Sequence, residues 1–139
     1  MELTDEEKDL ILSEVKSNSK INQKMIAKIE NGTIDDEDVN VIDEVIKSGL
    51  ESGSIYNRHG FGVESIAISL FKRLPSGSSM LESIDQVNKA LQSLKDMKIN
   101  KISCSMSRYG VYRVTLDLDS CSLTLEASKD GLRISSLEL

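Results

Sequence analysis

The chain has 139 residues, 23 acids against 17 bases, a net charge of −6 and a single histidine. At 39% apolar and 29% charged, with one proline and eight glycines, it is neither disordered nor low-complexity. A chain of this length makes one domain and buries roughly 68–70% of its extended surface. The acidic balance repels phosphate backbones, so nucleic acid is not an expected partner. Residues 1–9 are polar and acidic where a secretion signal needs a basic and then an apolar run. No apolar stretch approaches the ~20 residues of a membrane span. Two cysteines do not make a secreted disulfide scaffold. We therefore expect a cytoplasmic protein with no membrane partner.

Three helix starts share one pattern, a Ser or Thr followed three residues later by an acid: Thr4–Glu7, Thr33–Asp36 and Ser79–Glu82. The hydroxyl takes a free backbone N–H, and the acid complements the positive helix end. The first helix is expected over about 5–16, burying Leu10, Ile11 and Val15. After Ser17-Asn18-Ser19 a second carries Ile21, Met25, Ile26 and Ile29 on one face and stops at Asn31-Gly32. A third runs from about Ile34 to Leu50. The fourth has Val63, Ile66, Ala67, Leu70, Phe71 and Leu74 at helical spacing, with Pro75-Ser76-Gly77 read as its stop. A fifth, from Met80 to about Lys98, presents Ile84, Val87, Leu91 and Leu94. Residues 53–62 are read as a loop, or as holding a short strand at Ile55–Asn57.

From Lys101 the period switches to two. Ile102, Cys104 and Met106, then Tyr112, Val114, Leu116 and Leu118, then Cys121, Leu123, Leu125 and Ala127 alternate with polar residues. Leu132 and Ile134 begin a fourth strand whose parity slips at Ser135-Ser136. Such alternation makes a sheet with one buried and one polar face. Parity across the turns pairs Met106 with Tyr112, Leu118 with Cys121, and Ala127 with Leu132. That register aligns Arg113, Glu126 and Arg133 on the polar face. The fold class is α+β: an N-terminal helical half of about five helices packed on a C-terminal four-stranded antiparallel meander. It is read as a single domain over residues 1–139. Residues 1–53 make its helical N-terminal section, and residues 54–139 hold two helices plus the meander. Leu70, Leu91, Val114, Leu116 and Leu123 are expected deep in one core. Cys104 and Cys121 both point inward with a strand between them, too far apart for a disulfide, and read as buried thiols.

Four places are candidates for chemistry or contact. Arg58, His59, Gly60 and Gly62, in Asn57-Arg58-His59-Gly60-Phe61-Gly62, form a glycine-rich turn before a helix, the pattern of a small-anion or nucleotide site. The turn lacks the third glycine of a dinucleotide fingerprint and the Lys-Ser/Thr of a P-loop. Asp35, Asp36, Glu37 and Asp38 fail the calcium-loop pattern and are read as an acidic first turn that can meet a basic partner. The strand edges at Ile102–Met106 and Leu132–Leu139 expose unpaired backbone groups, and the second offers a route to a homo-oligomer.

Residues Gln23–Leu50, with Ile29-Glu30-Asn31-Gly32, resemble the later portion of phage-repressor helix-turn-helix domains. The resemblance implies a nucleic-acid regulator reading DNA with the helix after Gly32. That helix starts with four acids where recognition needs basic and amide side chains. Lys16, Lys20, Lys24 and Lys28 give the one regular basic stripe. No residues group into a catalytic, cofactor or metal site. The reading is therefore a cytoplasmic, non-catalytic protein-binding module such as an adaptor, inhibitor, immunity-type factor or assembly subunit. The alternatives are a small-anion regulator at 57–62 and a helix-turn-helix regulator.

Overall fold

A computed structural model describes residues 1–16 and 21–139; Ser17-Asn18-Ser19 and Lys20 lie outside them. The architecture is α+β, helices first and then a four-stranded antiparallel sheet in the order β1-β2-β3-β4. The helices are α1 (Asp5–Val15), α2 (Gln23–Glu30), α3 (Asp36–Glu51), α4 (Ser54–His59), α5 (Phe61–Phe71) and α6 (Pro75–Ser93). The strands are β1 (Ile99–Arg108), β2 (Val111–Leu118), β3 (Ser122–Ser128) and β4 (Gly131–Glu138). The described residues form two compact units, Met1–Ser78 and Ser79–Leu139.

In the first unit, α1 opens on the expected capping box. Thr4 Oγ1 accepts the Glu7 N–H at 3.2 Å, and Glu7 accepts the Thr4 N–H at 2.9 Å. Asn31-Gly32 also ends α2 as expected: Gly32 has φ +81°, its N–H bonds the Ile29 carbonyl, and the Thr33 N–H bonds the Lys28 carbonyl. That is the two-bond helix stop which needs a left-handed residue. One buried cluster takes in Leu10, Ile11 and Val15 of α1, Met25 and Ile29 of α2, Ile42 and Ile46 of α3, and Ile55 of α4. Ala67 and Leu70 of α5 join it.

Four expectations about the helices are corrected. Residues 54–59 are a helix, neither loop nor strand; Gly53 and Gly60, both at positive φ, bound it, and its Ile55 is fully buried. Thr33 does not cap α3: it makes an isolated bridge with Glu2, and the α3 N-cap is Asp35. Pro75-Ser76-Gly77 does not merely stop α5; it is the first turn of α6, where proline's missing N–H costs nothing. Ser79 therefore lies inside a helix and is not its cap. Finally, Leu70 and Leu123, expected in one core, are buried in two separate clusters, Leu70 in that of the first unit and Leu123 in that of the second.

In the second unit every expected cross-strand pairing is present. Met106 faces Tyr112, Leu118 bonds back to Cys121, Ala127 faces Leu132, and Arg113, Glu126 and Arg133 stand in line. Gly110 takes φ +72° in the first turn. The pairing of β3 with β4 shifts between Thr124 and Leu125, which accommodates the parity slip at Ser135-Ser136. The core is Val87 of α6 and Leu94 just beyond its end, with Leu118, Cys121, Leu123 and Leu125, joined by Leu116, Leu132 and Ile134.

No residue of β1 belongs to that cluster. Leu123 is fully buried, whereas Val114 and Leu116 are only half-buried and Leu91 and Ile84 are exposed. Cys104, expected inside, is exposed, while Cys121 is buried; both are free thiols. The reason is geometric: a single helix covers β2, β3 and β4 and leaves the edge strand bare.

Candidate functional site

Arg58 and His59, the cationic pair of the glycine-rich turn, lie on α4 and turn to α1. The Arg58 guanidinium donates to Glu14 Oε2, and His59 Nε2 stands 3.1 Å from Glu14 Oε1. Glu14 is buried, so its charge needs such partners. The anion these residues hold in this structure is thus a carboxylate of the protein itself. Gly60 joins α4 to α5 at φ +81°, and its N–H is taken by the Tyr56 carbonyl. Gly62 lies in the first turn of α5. A cleft of about 260 Å³ beside His59 is lined by Glu6, Asp9, Leu10 and Ser13, so an anion entering it meets two carboxylates.

Ser13, His59 and Glu14 resemble a nucleophile triad in composition but not in geometry. Ser13 Oγ lies 3.4 Å from His59 Nε2, the same ring nitrogen that meets Glu14. A working triad uses opposite ring nitrogens for serine and acid. The Ser13 hydroxyl also donates to the Leu10 carbonyl at 2.7 Å, so its proton is not aimed at the imidazole.

The acidic run at the start of α3 is partly neutralised. Lys28 reaches Asp35 at 2.6 Å and Asp38 at 2.7 Å. These bonds hold the Asp35 carboxyl below the usual carboxylate range and push the Lys28 ammonium above the usual lysine range. Asp36 and Glu37 stay exposed in that turn. Lys28 is therefore engaged internally, and Lys20 of the same stripe lies outside the described residues. Among the described residues no three His, Cys, Asp or Glu side chains are grouped to hold a metal ion. None of the described helices is long and apolar enough to cross a membrane.

On α1 two acids turn inward, seven positions apart on the buried face: Glu7, read from the sequence only as a cap, and Glu14, which the sequence did not single out. Glu7 pairs with Arg73 beyond α5, and Glu14 with α4. The available signal was their helical spacing from Leu10 and Ile11, which puts all four on one face.

The strongest surface feature lies on β1. Ile99, Ile102, Met106 and the β2 residue Tyr112 are 49%, 61%, 61% and 50% exposed, and register places them on one face with Cys104. They line one face of the edge strand as a strip of exposed apolar side chains, a kind of surface that on soluble proteins is often functional. On the opposite face, Glu126 is buried between Arg113, at 3.3 Å, and Arg133. The bond from Arg133 chiefly, with that from Arg113, holds the Glu126 carboxyl below its usual range against the effect of burial. At the end of the sheet carrying the β1–β2 and β3–β4 turns, a cleft of about 720 Å³ is lined by Arg108, Tyr109, Lys129 and Arg133, with Ser79 and Ser83 of α6.

The architecture defines a small α+β protein with a C-terminal meander. No protein-family model matches the chain, and comparison with curated proteins and with solved structures gives no match.

Proposed function

We propose that this protein is a non-catalytic protein-binding module. The observation that carries the reading is the bare apolar face of β1, in a unit whose other strands are covered by α6. Exposed apolar surface on a strand with an open edge is costly to leave in water and prone to pair with another chain. We prefer this to anion binding at 57–62, where Arg58 and His59 already hold Glu14. We also prefer it to nucleic-acid binding, because the chain is acidic and Lys28 is engaged by Asp35 and Asp38. Free thiols at Cys104 and Cys121 suit a reducing compartment, and we place the protein in the cytoplasm.

The test is affinity capture from a lysate with the intact chain, read by mass spectrometry, beside an Ile102→Lys/Met106→Lys variant that folds by circular dichroism. The reading requires a partner that the wild type retains and the variant loses. Recovery of none, together with turnover of any substrate by the purified protein, refutes it.

A further inference from the structure

We propose that the open edge of β1 receives an extended segment of a partner protein, apolar at alternate positions and acidic at those between. The inference rests on the protein-binding reading and names the chemistry of the partner. From Lys101 to Met106 the pairing with β2 is unbroken, with irregularities only beyond each end. This stretch is thus a regular template whose outward backbone groups have no strand beside them, since β1 is the edge in the order β1-β2-β3-β4. An added strand places alternate side chains beside Ile102 and Met106, which stand exposed on one face.

Charge selects the occupant. In a chain with 23 acids, residues 97–116 contain none, yet they hold Lys98, Lys101, Arg108 and Arg113. Arg113 is bound to Glu126 on β3, which leaves Lys98, Lys101 and Arg108 exposed along or beside the edge strand. Lys129 stands near Arg108 in the cleft at the turn end. An acidic strand meets opposite charge here, whereas a second copy paired through β1 brings basic edges together. The other edge, β4, is a poorer template: its register with β3 shifts midway, and its Leu132 and Ile134 already pack into the core.

The experiment is fluorescence anisotropy of the full chain with labelled peptides of β1's own length, 10 residues. One alternates valine with glutamate and the other valine with lysine, both at about 150 mM salt, the physiological ionic strength. The glutamate peptide is expected to bind about tenfold more tightly or better, as one or two opposed charge pairs provide. A Lys101→Glu/Arg108→Glu variant, checked for fold by circular dichroism, should reverse that order. Equal binding of the two peptides, binding of neither, or an unchanged order in the variant overturns the proposal. So does a dimer in sedimentation that Met106→Lys dissolves, which gives the edge to a second copy. A lysate partner captured equally by wild type and the charge-reversed variant also removes this edge, while the protein-binding reading itself survives.

Discussion

Asp43, buried on α3, closes the start of α6 from 33 residues away: its carboxylate accepts the Ser76 N–H at 3.1 Å and the Ser76 hydroxyl at 2.6 Å. A helix N-terminus leaves backbone donors without partners, and here a remote side chain supplies the acceptor that a local cap usually provides. Asp43→Ala should cost about 1–3 kcal/mol, because a part-buried donor loses its partner. Asp43→Asn, which keeps an acceptor, should lose less. Thermal or urea unfolding of the two variants decides this.

Gly77, in the same first turn, faces backbone. A Cβ placed there would stand 2.0 Å from the Phe71 carbonyl oxygen and 2.6 Å from its carbon. Main chain cannot swing aside as a side chain can, so Gly77→Ala should destabilise by more than about 2 kcal/mol. Gly62, in the first turn of α5, has nothing within 4 Å of its Cβ position. Gly62→Ala should be neutral or stabilising by up to about 1 kcal/mol, from helix propensity. Paired urea titrations of the two variants test both statements.

Leu123 is fully buried, and Leu116 on the neighbouring strand is half-buried. Leu123→Ala should cost about 2–5 kcal/mol, and Leu116→Ala distinctly less, since its site is open enough to admit water. Equal losses would show that the bare edge of the sheet is covered in solution.

Glu126 gives the sheet an acid-sensitive joint. Arg133 and Arg113 hold its folded-state pKa below the unfolded value. The stability it contributes is therefore complete above the ordinary glutamate range and is lost as pH falls through the depressed value. Glu126→Gln should lower the urea midpoint at about pH 7 and flatten its decline between about pH 5 and pH 2. An unchanged acid limb in that variant would exclude Glu126 as its source.

The two thiols should separate cleanly by accessibility. Cys104 is exposed on β1 and Cys121 is buried beside β3. A thiol-specific reagent such as dithionitrobenzoate should modify Cys104 in the native protein and reach Cys121 only on unfolding, with Cys104→Ser abolishing the fast phase.

The amino-acid sequence by itself determined the features that arise within a few residues. The alternation from Ile102 to Ala127, the left-handed glycines at Gly32 and Gly110, the Thr4–Glu7 box and the Arg113–Glu126–Arg133 line follow from pleat, turn and cap chemistry. What it did not determine was which apolar face would be covered, and by what. Cys104 and Leu123 carry the same alternation signal, yet one lies exposed on an edge and the other beneath α6. Likewise Pro75-Ser76-Gly77 suits a helix stop or a helix start equally well until Asp43 arrives from α3 to hold Ser76. Arg58 and His59 suit a ligand anion or a buried glutamate until α1 brings Glu14 beside them. In each case the local pattern is compatible with two outcomes. The choice falls to a residue distant in sequence, because burial and charge pairing depend on neighbours in space, not along the chain.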